Sequence, residues 1–147
     1  MRRETFRECI DKGHLLETRD QDTFLAEELL KLAEHREQFW KNVLPHAEEY
    51  PTLFIEGHYE ILKELCTAIL VLDGWRALNH ECLFTYLKEK RKDLEIDHGY
   101  MVELKDIRNA MDYRGVKVSP SLWKDNQLKL HLTINALKEY IKEKLGK

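Results

Sequence analysis

Apolar residues recur along most of this chain at the three-and-four spacing of amphipathic helices. From Asp22 onward, Phe24, Leu25, Leu29, Leu32, Ala33, Trp40, Val43 and Leu44 hold one stripe while Glu and Lys fill the opposite face, which predicts a first long helix. Pro45 removes a donor and disfavours helical geometry at Leu44, and Tyr50-Pro51 repeats the signal. The helix therefore kinks at Pro45 or stops between the two prolines, with residues 46–51 as a joint. A second long helix should start near Thr52 as its cap and run to Asp73, with Gly74 in the left-handed position just past its end. Its stretch CTAILVL, residues 66–72, is apolar almost all round, as in a helix enclosed by neighbours. Gly57, near its start, would allow another backbone to approach closely.

The remaining segments are shorter. Residues 3–11 suit a leading helix ending near Gly13, and the HLLETRDQD that follows reads as a turn region. Asn79 caps a short third helix whose apolar side is Leu83, Phe84 and Leu87, and the KEKRKD run closes it. That run could touch phosphate, but Glu89 and Asp93 interrupt it, and cations at a helix C-terminus also complement the dipole. Asp97 caps the next helix, which closes at Gly115, and residues 116–118 read as extended without forming a sheet. Ser119-Pro120 then opens a last helix carried by Leu122, Trp123, Leu128, Leu130, Leu132, Ile134, Leu137, Ile141 and Leu145. With no repeat or linker, residues 1–147 read as one domain. The pattern predicts an all-α fold: an antiparallel up-down bundle of four main helices plus a short N-terminal one, packed around Leu62, Leu65, Ile69, Leu104, Ile107 and Met111, with no sheet.

One residue breaks this pattern. Projected at 100° per residue, Tyr100, Met101, Leu104, Ile107 and Met111 share an arc, and Arg108 falls inside it. A guanidinium there must find a carboxylate, line a cavity, or pack its stem on the core edge and send its head to water. Glu60 and Glu64, one turn apart on the second long helix, are the carboxylates to offer it, unless they simply face solvent.

Charge narrows the classes. A net charge of -3 conceals 24 Lys plus Arg against 27 Asp plus Glu, a balanced surface that lends nucleic-acid binding no special support. Three cysteines, Cys9, Cys66 and Cys82, lack CxxC spacing, and Cys66 lies in an apolar run as a small hydrophobe, which suggests a reducing, intracellular setting. No segment has the length of a signal peptide core or a membrane span, so the chain reads as cytoplasmic with no membrane partner. GxxxxGK, GxGxxG and HExxH are all missing. His80-Glu81-Cys82 has the look of a zinc deaminase half-site without its Pro-Cys-x-x-Cys complement. The seven histidines contain no i, i+4 pair, so no metal and no cofactor is predicted, and His58 and His80 read as structural residues.

The order of features resembles a known family. A leading ECIDKGHL, a long helix, HYEILKELCTAILVLDGW, NHECLFTYL, then DIRNAMDYRGVKVSP and a terminal Leu/Ile helix are similar to small archaeal and bacterial HEPN proteins over most of the chain. That resemblance implies an antiparallel helical bundle that commonly forms homodimers and is often encoded beside a nucleotidyltransferase. In active members it implies metal-independent endoribonuclease activity, with an Arg, a polar residue and a His about four to six positions after the Arg. Arg108 and Asn109 match the first two. Asp112, Tyr113 and Arg114 occupy the positions open to the His, and Tyr113 with Gly115 matches the Tyr-x-Gly of the family's short variants.

The departure has chemical content. Without metal, one group must take the 2'-hydroxyl proton and another must return one to the leaving oxygen, a pair of roles suited to His and poorly suited to Tyr, whose pKa is about 10. Asp112 could accept a proton, or pair with Arg108 one turn away. The expectation is an RNA- or nucleotide-related protein of toxin-antitoxin or defence type with lost or reduced nuclease activity. Its site would be Arg108, Asn109 and Tyr113, supported by Glu60, Glu64, Asp112 and His80. The alternative is a non-catalytic helical interaction module that partners a nucleotidyltransferase or another protein, with Arg108 structural.

Overall fold

The computed structural model describes residues 3–147. Helix α1, Phe6–Asp11, opens with a capping box: the Thr5 hydroxyl accepts from the Glu8 N–H at 3.1 Å, and the Glu8 carboxylate accepts from the Thr5 N–H at 3.4 Å. Strand β1 is Leu15–Glu17, and α2 is Thr23–Asn42 with Asp22 capping the Leu25 N–H. The chain resolves the proline joint by stopping: α2 ends at Asn42 and a 3₁₀ turn, Leu44–His46, absorbs Pro45. Helix α3, Pro51–Leu72, starts with its proline in the first turn, where a missing donor costs nothing. Thr52 does not cap it; its hydroxyl accepts the Val118 N–H at 3.0 Å and ties the start of α3 to the loop ahead of the last helix.

Beyond α3 come β2, Trp75–Ala77, α4, His80–Lys90, α5, His98–Arg114, and α6, Pro120–Lys144. Asn79, Asp97 and Ser119 cap the three helices through side-chain oxygens, and Gly74 and Gly115 take the left-handed conformation with φ of 78° and 62°. The fold is thus almost entirely helical.

Helix α3 is the axis of the molecule. Twelve of its 22 residues are buried, and it packs against α2, α4, α5 and α6, which explains why its second half is apolar on every side. Leu62, Leu65, Ile69 and Leu104 are fully buried, Met111 is buried, and Ile107 packs at the edge of the same core. Each such Leu or Ile contributes roughly 1.5 to 3 kcal/mol of transfer free energy. Gly57 makes room for a side chain and not for a backbone: a Cβ there would overlap the Trp40 indole of α2.

Two expectations are corrected. A sheet does form: β1 and β2 pair antiparallel in the register Leu15 with Ala77, Leu16 with Arg76 and Glu17 with Trp75, so part of HLLETRDQD is strand and not turn. Strands of three residues are too short to show a period of two, yet their amides still need partners, and each segment supplies the other's. The cysteines are not all free either. Cys9 and Cys82 form a disulfide between α1 and α4, while Cys66 is unpaired and buried, so the argument for a reducing setting from lone cysteines falls away. No helix among the described residues is long and apolar enough to cross a membrane.

Candidate functional site

Three helices meet at Arg108. Helix α3 contributes Tyr59, Glu60 and Lys63, which share a side because Lys63 lies three residues after Glu60 and four after Tyr59. Helix α5 contributes Arg108 and Asp112, and α4 contributes its first residue, His80. The Arg108 fork is divided: one terminal nitrogen lies 3.4 Å from Glu60 Oε1 and the other 3.0 Å from Asp112 Oδ2. Its guanidinium carbon stands 5.6 Å from the centre of the Tyr59 ring, within cation–π range, and its Nε is buried without a partner. Glu60 in turn holds Lys63 at 2.8 Å, so one carboxylate bridges two cations.

His80 completes the group. Its Nδ1 shares a hydrogen bond of 2.9 Å with the Tyr59 hydroxyl. Burial, then the charges of Lys63 and Arg108, push the imidazole below its ordinary pKa against the opposing pull of Glu60, so it is neutral at neutral pH. Burial raises the Tyr59 phenol, with Arg108 working against it, and the phenol stays protonated. For Glu60 burial acts upward, but the hydrogen bond and charge of Lys63 and the charge of Arg108 prevail and hold it below the usual carboxylate range.

Three of the expected residues, Glu64, Asn109 and Tyr113, fall elsewhere. Glu64 does not reach Arg108: its Oε1 pairs with Arg36 Nε of α2 at 2.8 Å and its Oε2 is buried without a partner. Burial raises its pKa against the pull of Arg36. Asn109 is half-buried, one step of 100° around α5 from Arg108. Tyr113 is 82% exposed and five residues on, about 140° around the helix, so its hydroxyl faces solvent. Asp112, four residues on, stays on the Arg108 side.

Lys63 and His80 have a second role. Both line a cavity of about 530 Å³, within the size range of small-ligand pockets, roughly 300 to 1,000 Å³. Leu70, Val71 and Leu83 give it apolar wall, while Thr67, Arg76 and Asn79 add polar groups and Asp20 and Asp22 stand among its lining residues. The cavity thus offers an apolar wall with two cations, Lys63 and Arg76, and two carboxylates, Asp20 and Asp22, in its lining. Tyr59, Lys63 and Arg76 escaped the sequence reading. Lys63, three residues after Glu60, was legible as a helix ion pair, but Arg76 is placed by β2, which pairs with β1 and packs on α3. In comparisons with family models, curated proteins and solved structures, the chain matches none.

Proposed function

We propose that this is a HEPN-like helical bundle of RNA- or nucleotide-related function that binds a nucleotide or a short RNA and cleaves it weakly or not at all. The observation that carries the reading is the double membership of Lys63 and His80, which belong both to the Arg108 group and to the wall of the 530 Å³ cavity. Lys63 and Arg76 offer charge-assisted donors to phosphate, and the apolar wall suits a base. Cleavage is weak because the acid and base it needs are not assembled. One neutral imidazole, His80, is engaged by Tyr59, and Tyr113 faces solvent.

The test is equilibrium binding of a fluorescent adenosine triphosphate and of a short single-stranded RNA, alongside RNA cleavage in chelator. Lys63→Ala is expected to weaken binding by about tenfold, equivalent to ~1.4 kcal/mol, with a shallower dependence on salt. Wild-type protein that binds neither ligand, or a Lys63→Ala variant that binds as well as wild type, would end this reading.

The division of the Arg108 fork between Glu60 and Asp112 favours a second reading, the interaction module, in which Arg108 is structural. Its mark would be an Arg108→Ala variant that loses stability while wild type binds no nucleotide. Either role is proposed for a cytoplasmic homodimer with a nucleotidyltransferase-type partner. Sedimentation as a monomer at tens of micromolar, on the order of assay concentrations, would remove the dimer.

A further inference from the structure

A second group of chemistry-bearing side chains lies at the junction of α1 and α4, apart from the phosphate-binding reading. Helix α1 ends in a Schellman turn: the Gly13 N–H, with φ at 74°, donates to the Ile10 carbonyl at 3.0 Å, and the His14 N–H donates to the Cys9 carbonyl at 2.8 Å. This folds His14 back beneath Cys9. Glu4, just ahead of α1, is fixed from the other side, because its N–H donates to the Glu81 carboxylate of α4 at 3.0 Å. The outcome is a tight group: His14 Nδ1 lies 3.0 Å from Glu4 Oε2, and that oxygen lies 3.4 Å from Cys82 Sγ. Glu4, His14 and Cys82 present ligand atoms within 4.8 Å of one another, and Cys9 is bonded to Cys82.

We propose that Cys9, Cys82, His14 and Glu4 form a redox-gated site for a zinc-class divalent cation, closed by the disulfide and opened by its reduction. Two thiolates, an imidazole and a carboxylate are the donors that such a borderline-soft ion takes in four-coordinate sites. With bonds of roughly 2.0 to 2.3 Å, the edges of that tetrahedron are about 3.3 to 3.8 Å. Two edges already stand near this spacing, 3.0 Å between the His14 nitrogen and the Glu4 oxygen and 3.4 Å between that oxygen and the Cys82 sulfur, and reduction lets the second sulfur move out to it. Both cysteines are fully buried and Glu4 and His14 are partly exposed, so a cation enters from the Glu4 and His14 side, where it displaces the Lys12 ammonium that lies 4.0 Å from the Glu4 carboxylate.

The exchange balances. A dithiol gives two electrons and two protons to the Cys9–Cys82 bond and becomes a cyclic disulfide, leaving two thiols. Zinc then forms two Zn–S bonds and releases the two thiol protons to water. His14 donates its Nδ1 proton to Glu4 in the closed form; on metal binding that proton passes through water to Nε2, which frees the Nδ1 lone pair for zinc, and Glu4 exchanges its hydrogen bond to His14 for the metal. Metal would therefore clasp α1 to α4 wherever the disulfide cannot persist.

The experiment uses the full chain, oxidised or reduced by a phosphine that water converts to its oxide. Each form is equilibrated with zinc, desalted and assayed for metal, and cobalt is used as the coloured substitute. One zinc per reduced chain and none per oxidised chain is expected, with a thiolate-to-cobalt charge-transfer band and the strong visible bands of a tetrahedral site. His14→Ala should weaken the cobalt affinity at least tenfold, and Cys82→Ser, which leaves one thiolate, should cut the charge-transfer band to about half or less. If Cys82→Ser fails to fold by circular dichroism, the His14→Ala titration decides. Reduced wild type that takes up no metal, equal uptake by the oxidised chain, cobalt spectra without the thiolate band, or unchanged affinity in His14→Ala would each overturn the proposal.

Discussion

At the scale of single residues, position on a helix decides what Arg108 can work with. The resemblance that points to Arg108 and Asn109 also points five residues on, where Tyr113 stands in place of an imidazole. Five residues turn an α-helix by about 140° away from its starting face, and Tyr113 is accordingly 82% exposed. The group four residues on, Asp112, is the one that meets Arg108. Restoring the imidazole by Tyr113→His therefore places it in water and not against a bound phosphate. The expected result is no gain in RNA cleavage in chelator, and a stability within about 0.5 kcal/mol of wild type, as for most surface changes. A cleavage rate raised tenfold or more would show that the two groups can converge, for instance across two copies of the chain, and would restore Tyr113 to the site.

At the scale of elements, α3 organises its neighbours through ring contacts as well as aliphatic ones. His58 of α3 lies between Trp40 of α2 and Trp123 of α6, with ring centres 6.0 and 4.9 Å away, and its Nδ1–H donates to the Phe54 carbonyl at 2.7 Å. Burial holds this imidazole below its ordinary pKa, with the Phe54 bond and the charge of Glu37 pulling the other way and His131 adding to the depression. The unfolded chain then binds more protons than the folded one below the unfolded pKa of about 6.5. Stability from His58 is complete above that pH and is lost as pH falls through the folded value. His80 and His98 are shifted in the same direction. Urea midpoints should therefore fall between pH 7.5 and 5.5, on the order of the unfolded pKa, and His58→Gln should reduce that slope; an identical slope in the variant would sink the assignment. The helices around His58 were readable because each repeats a local signal many times: a stripe, a capping side chain, a glycine past the end. Arg108 was readable for the same reason, as one cation inside an apolar arc. The Glu60 partnership was half readable, since helix spacing puts Glu60 and Glu64 on one side and only packing sends Glu64 to Arg36. The sheet, the disulfide and the cavity were not readable, because each joins segments some sixty or seventy residues apart through single contacts without a period.

At the scale of the whole molecule, the sheet and the disulfide both hold the leading segment to the body of the fold. Helix α1 has only six residues, well short of what an isolated helix needs, about 12 to 15, to persist in water. Its attachment comes from β1 pairing with β2, from Glu4 bonding to Glu81, and from Cys9 bonded to Cys82 across a sequence separation of 73. Closing a loop of that length removes unfolded-chain entropy amounting to about 4 kcal/mol in the chain-entropy model, against a usual measured range of roughly 2 to 4. A hairpin-scale ladder and one hydrogen bond offset little of such a loss. Reducing the protein in chelator should lower its unfolding free energy by about 2 to 4 kcal/mol, read as a lower urea midpoint with a steeper slope, because the denatured chain without its cross-link exposes more surface. The loss should also be uneven: amide exchange in α1 and β1 should accelerate more than in α3, whose burial does not depend on the bond. A double Cys9→Ala, Cys82→Ala variant should behave like the reduced protein, because it removes the cross-link without leaving thiols to pair or to bind metal. If reduction leaves the midpoint where it was, the ladder and the Glu4 contact suffice and the disulfide is not what anchors the first helix.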